Sequence, residues 1–107
     1  MSDTIDVNTM VELSDDIVSV LKALANRDRL LILTLILEEE LNVSEIEEKS
    51  KIQQPTLSQQ LMILRKNEVV KTRRAGKQIY YSIRDQRFVH IIKNIFDYHT
   101  KYRSAIA

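Results

Sequence analysis

Up to Lys66 the apolar residues of this chain recur at intervals of three and four; from Val69 they recur at every second position. The first spacing suits an amphipathic helix and the second a half-buried strand, so the chain changes from helices to a sheet at one place. Its length of 107 residues suits a single domain. Such a chain hides roughly two thirds of its unfolded surface, enough for a modest core and little for a private cavity.

Residues 1–8 read as a loose, flexible tail, and residues 9–103 as the domain. From Thr9, the spacing of Met10, Leu13, Ile17, Leu21 and Leu24 predicts a first helix. Asn26 can cap a second, with Asp28 in its first turn, running through Leu30, Leu31 and Leu33 to Leu37. Glu38 to Glu40 read as a solvated helix end, and Leu41 to Val43 as a short extended piece. Ser44 and Glu47 have capping-box spacing, which predicts a third helix over 44–50. After a turn at Lys51–Gln53, Pro55 stands in the first turn of a fourth helix that runs to about Lys66, with Gln54 as a mediocre cap. Val69–Arg74 and Gln78–Ile83 are predicted strands, with Ile79, Tyr81 and Ile83 on one face. Ala75-Gly76-Lys77, holding the sole glycine, forms the turn between them. A last helix is expected from the cap Asp85 to about Tyr102.

Composition excludes several classes. There is no cysteine, so disulfides, thiolate metal sites and thiol redox chemistry are out. The longest apolar run, Leu30 to Leu37, is interrupted by Thr34 and too short to span a bilayer. No basic-then-apolar start suggests a signal peptide, so a cytoplasmic protein with no membrane partner is expected. No glycine-rich phosphate loop, cysteine nucleophile or usable histidine–carboxylate cluster points to an enzyme. The net charge of +1 conceals a split: residues 1–50 carry four basic against twelve acidic side chains, and residues 51–107 twelve against three. That asymmetry fits a polyanion-facing side, or two halves that neutralise each other on folding.

The fourth helix carries the chemistry. On a wheel of about 100° per residue, Leu57, Leu61 and Leu64 form one stripe. Gln59 and Thr56 point away from it, flanked by Ser58 and Gln60. An ordinary solvated face would use Lys and Glu, which are better helix formers than Ser or Thr. Amides and hydroxyls are what base edges pair with, glutamine bidentately with adenine, and a helix N-terminus favours phosphate. Beside it lie Arg65 and Lys66, and then a hairpin bearing Lys71, Arg73, Arg74 and Lys77. From Lys51 to Gln78 seven basic residues meet one acidic residue. Long cations on a projecting ribbon suit phosphate contact or entry into a minor groove. Helix, helix, short helix, helix and basic hairpin is the order of a winged helix-turn-helix, a mainly α fold with a small β-hairpin.

LKALANRDRLLIL (Leu21 to Leu33), LSQQLMILR (Leu57 to Arg65) and VVKTRRAGKQIYYSI (Val69 to Ile83) closely resemble the ArsR family of small bacterial repressors. They look most like its HlyU/BigR-type branch. The match covers Asp16 to Ile83, with three segments in the right order and spacing. The resemblance implies a homodimer joined by the first and last helices, a fourth helix in the major groove of a double-stranded operator, and an inducer that releases it. Carried over, Gln54, Thr56, Ser58, Gln59 and Gln60 face the groove, and Arg73, Arg74, Lys77 and Gln78 form the wing. Met10, Leu13 and Ile17 would meet Phe88, Ile91, Ile92, Ile95, His99 and Tyr102 across the dimer. The last helix supports this independently, because its apolar arc, with Phe96 and Tyr98, is wider than one small core can cover.

The family's sensor sites are missing from the sequence. Asn42 and Ser44 stand where metal-sensing members carry thiols near the third helix. Of a second metal set, Asp85 matches while Arg87, Tyr98 and Lys101 replace the other three ligands. Thr34 stands where the HlyU/BigR-type branch carries a redox cysteine, and reads as a buried hydroxyl bonded to a carbonyl one turn back. His99 lies among the apolar residues of the last helix and His90 on the opposite side, so they cannot share a metal within one chain. No cofactor is expected, and the inducer is unknown. The competing function is a protein-interaction module that binds an acidic partner through the hairpin.

Overall fold

The computed structural model describes residues 4–106. Its elements in chain order are α1 (Val7–Leu24), α2 (Arg27–Leu35), β1 (Leu41–Asn42), α3 (Val43–Ser50), α4 (Thr56–Lys66), β2 (Val70–Ala75), β3 (Gln78–Ile83) and α5 (Gln86–Ile106). This is the winged helix-turn-helix order. The helices enclose one core, built from Ile32, Leu33 and Ile36 of the α2 region, Ile46 of α3, Leu57, Leu61 and Leu64 of α4, Val69, Val70 and Ile83 of the sheet, and Val89 and Ile92 of α5.

Caps explain most boundaries. α1 begins within the stretch expected to be a tail, because the Asp6 carboxylate accepts the Thr9 N–H (3.2 Å) and hydroxyl (2.6 Å) and so starts the helix at Val7. Residues 1–3 of the expected tail lie outside the described residues. Asn26 caps α2 as expected, its Oδ1 accepting the Arg29 N–H at 3.1 Å. The capping box of α3 is shifted from the Ser44–Glu47 pair. Asn42 Oδ1 accepts the Glu45 N–H and Glu45 Oε1 accepts the Asn42 N–H, each at 2.9 Å. Asparagine and serine cap about equally well and the same spacing occurs two residues earlier, so cap type alone does not choose between the two. Asn42→Ala should therefore cost about 1 kcal/mol in urea unfolding, whereas Ser44→Ala, inside the helix on an exposed residue, should change stability little.

Leu41 and Asn42 do more than extend. They pair with Tyr81 and Tyr80, so the sheet has three antiparallel strands in the order β1-β3-β2 rather than a bare hairpin. β2 and β3 pair from Val70↔Ile83 to Ala75↔Gln78, which leaves a two-residue turn, Gly76-Lys77, tighter than expected. Gly76 has φ +63°, the sign that a two-residue hairpin turn demands. The three glutamates expected to be a solvated helix end each face a cation: Glu38 meets Lys93 at 3.2 Å, Glu39 meets Lys49 at 3.8 Å, and Glu40 meets Arg73.

Asp85 acts at the start of α5 as expected, its Oδ1 accepting the Arg87 N–H at 2.8 Å. The Arg87 guanidinium also donates to this carboxylate and holds Asp85 below the usual carboxylate range. α5 runs past Tyr102 to Ile106, since no proline or glycine stops it and Arg103 suits its last turn. No helix among the described residues is long and apolar enough to cross a membrane.

Candidate nucleic-acid interface

α4 is seated by Leu57, Leu61 and Leu64, all essentially inaccessible to solvent. Their burial turns Thr56, Ser58 and Gln59 outward. Thr56 and Gln59 have no side-chain hydrogen-bond partner among the described residues, so their polar groups are free. Gln54 and Ser58 are exposed but tied together. The Gln54 Oε1 accepts the Ser58 N–H at 3.0 Å and its hydroxyl at 2.6 Å. Gln54 therefore caps α4 through its side chain from one residue upstream of Pro55, and its amide N–H donors stay available. The amides of Leu57 and Gln59 bond to the carbonyls of Gln53 and Pro55. The phosphate seat expected at this helix N-terminus thus has most of its donors occupied.

Gln60 departs from the expected groove-facing set. It is half-buried, and its Oε1 accepts from Arg29 Nη1 at 2.9 Å. The wheel places Gln60 beside the buried stripe but cannot show that an arginine from α2 reaches it.

The wing divides in two. Arg74, Lys77 and Gln78, like Arg65 in the last turn of α4, are exposed, and Arg74 makes one contact, from Nε to the Gly76 carbonyl at 3.2 Å. Arg73, expected to reach outward with them, is clamped to the body. Its Nε lies 3.0 and 3.2 Å from the two Glu40 oxygens, its Nη2 closes on the same carboxylate, and its guanidinium lies 4.9 Å from the centre of the Tyr80 ring. Strand alternation is the cause: Arg73 pairs with Tyr80 across β2–β3 while β1 brings the Glu40 side of the loop alongside. The hydrogen bond from Arg73, helped by its charge and that of Lys71, holds Glu40 below the usual glutamate range. A depressed carboxylate pKa means that the contact is present at neutral pH and is lost only as pH falls through the lowered value. Both partners are solvent-exposed, so salt weakens the contact.

The residues expected at a dimer interface lie on two faces. Met10, Leu13 and Ile17 of α1, and Ile95, His99 and Tyr102 of α5, are exposed; Phe88 and Ile91 are half-buried. Ile92 does not belong with them: at 5% exposure it is part of the chain's own core. The apolar arc of α5 is split, with Val89 and Ile92 turned inward and Ile95, Phe96, Tyr98 and Tyr102 left in solvent. Leu13, Ile17, Val20 and Leu21 of α1 line a groove of about 480 Å³ with Phe88 and Ile91 of α5. His99 Nδ1 lies 2.9 Å from the Ile95 carbonyl, which can only accept, so this nitrogen carries the proton.

Thr34 bonds to the Leu30 carbonyl at 2.7 Å as expected but is exposed rather than buried, because it lies on the face of α2 away from the core. Among the described residues no group of three or more His, Asp or Glu side chains is placed to hold a metal ion.

Residues 26–72 match the sequence model of the bacterial regulatory protein family arsR. The biofilm growth-associated repressor of Agrobacterium fabrum is 36% identical over 92 residues, covering 86% of this chain and 79% of that protein. Among solved structures, the transcriptional repressor BigR of Xylella fastidiosa superposes with a TM-score of 0.82 at 32% identity, over 87% of this chain and 95% of that one. The homodimeric winged helix-turn-helix DNA-binding domain Mb0332 of Mycobacterium bovis does so with a TM-score of 0.71 at 31% identity, over 92% and 93%. The chain belongs to the arsR family of bacterial regulatory proteins.

Proposed function

We propose that this protein represses transcription in the cytoplasm by binding a pseudo-palindromic operator as a homodimer, with α4 in the major groove and the β2–β3 wing over the backbone or minor groove. One observation carries this reading. The uncharged, outward-facing Thr56, Ser58 and Gln59 stand on the helix most firmly seated in the core, beside exposed cations of the wing. Base edges are read by rigidly held amides and hydroxyls, and phosphates by long cations. Gln54, Thr56, Ser58 and Gln59 form the reading set, and Arg65, Arg74, Lys77 and Gln78 the backbone set. The exposed apolar faces of α1 and α5 supply the two-fold contact, which places two reading helices about one DNA turn apart.

The test is a mobility-shift titration of a duplex that the protein selects from a random pool, against a scrambled duplex, at several salt concentrations. A preference of roughly a thousandfold or more is expected, with affinity falling steeply as salt rises. Equal binding to both duplexes, or an affinity indifferent to salt, would overturn the reading.

A further inference from the structure

Arg29 joins the end of the first helix to the helix proposed to read bases. Its Nε donates to the Ala23 carbonyl at 2.7 Å and its Nη2 to the Lys22 carbonyl at 3.1 Å, both in the last turn of α1. Its Nη1 donates to the Gln60 side chain in α4 at 2.9 Å. The side chain is half-buried, and its backbone is fixed because Asn26 caps α2 on the Arg29 N–H. A guanidinium is planar with donors in fixed directions, so three bonds on one group hold both helices in one mutual orientation.

The need for such a link lies in how α1 is held. Ala23 and Leu24, at its C-terminal end, are its only buried residues; Val20, one turn back, packs half-buried against the core, and the helix before it is largely exposed. Apolar burial at that end is non-directional: it holds the helix down but does not fix its heading. The last carbonyls of a helix lack partners within it, and a cation there is favourable. Arg29 meets that need and passes the constraint to α4 through Gln60.

We propose that Arg29 is a positioning residue that sets the distance between the two α4 helices of the homodimer, with Gln60 as its receiver on α4 rather than a reader of bases. This rests on the homodimeric DNA-binding reading. α1 carries much of the two-fold contact, so its heading relative to α4 decides which spacing of half-sites the dimer fits. Shifting one half-site by a single base pair turns it by about a tenth of a helical turn, a change that a rigid link resists and a loose one accepts.

The test uses the duplex selected by the wild-type protein and two further duplexes, with one base pair added or removed between the half-sites. Binding is read by mobility shift, and mass by sedimentation. The wild type should prefer the selected spacing by roughly tenfold or more, as for one mismatched position. Gln60→Leu keeps the α1 end of the link, and Arg29→Gln removes all of it. Both should stay dimeric, keep wild-type affinity for scrambled DNA, and bind the three spacings within about twofold of one another, the loss expected when one directed hydrogen bond no longer separates them. Gln60→Glu, which can pair with Arg29, should retain the spacing preference while binding every duplex somewhat less. Undiminished spacing preference in Gln60→Leu overturns this proposal alone, as does a change of preferred base at one position in Gln60→Glu. A monomeric wild type, or one indifferent to spacing, overturns the homodimeric reading and this proposal with it.

Discussion

Alanine at both Gln59 and Arg74 is expected to lower affinity for the selected duplex by roughly a hundredfold or more, while the protein stays folded and dimeric. Gln59 is fully outward on α4 and Arg74 is exposed near the wing tip, so neither substitution opens the core. In a symmetric dimer each change counts twice. A bidentate amide–base pair discriminates by about 1–3 kcal/mol, and each lost phosphate contact lowers the slope of log affinity against log salt by about 0.9. Arg74→Ala alone should therefore reduce that slope by about 2 for the dimer, measured by repeating the shift at several salt concentrations. Arg73→Gln is the informative contrast. Its guanidinium is committed to Glu40 and Tyr80, so the slope should stay at the wild-type value even if loosening of the wing lowers affinity. Binding that survives both alanines would sink the assignment of the reading head.

Glutamate at both Ile17 and Ile95 should give a monomer. The two residues lie on α1 and α5, 37% and 45% exposed, on faces that also leave Met10, Leu13, Leu21, Phe96 and Tyr102 in solvent. A soluble monomer seldom leaves so many large apolar side chains of two helices bare. Four carboxylates introduced across a two-fold interface would be desolvated without partners, a cost large enough to separate the subunits. A monomer engages one half-site at a time and loses the advantage of the second, tethered contact, which is worth roughly two to four orders of magnitude. Sedimentation should show half the wild-type mass, and the selected duplex should bind about as weakly as a single half-site. A variant that remained dimeric would place the interface elsewhere.

How much of this was legible in the sequence depends on how local each cause is. The apolar stripe Leu57, Leu61, Leu64 was visible because helical period alone decides which residues go inward, and the sole glycine marked the hairpin because its cause is a single φ. The α3 box is ambiguous in the sequence because two overlapping segments, from Asn42 and from Ser44, share the spacing, and only packing selects one. Ile92 and Ile95 look alike on a wheel; which of them meets the chain's own core depends on where β3 and α2 lie. Arg73 and Gln60 show the same limit at the site. Their partners, Glu40 and Arg29, are 33 and 31 residues away, and no periodicity carries that information. Both were expected to be free because long polar side chains on outward positions usually are.

The tip of the wing combines a positive φ at Gly76 with open space: a methyl group built there would meet no atom beyond its two chain neighbours within 4 Å. The position therefore imposes a handedness while leaving room for a side chain to start. A mirror-image alanine introduced by chemical synthesis would meet that demand where ordinary alanine would not. Among the genetic alternatives, asparagine and aspartate enter this region most readily, one adding an amide to the tip and the other a negative charge. The strength of attraction to a polyanion can thus be reset at the tip of the wing, by a single residue, without any repacking beneath it.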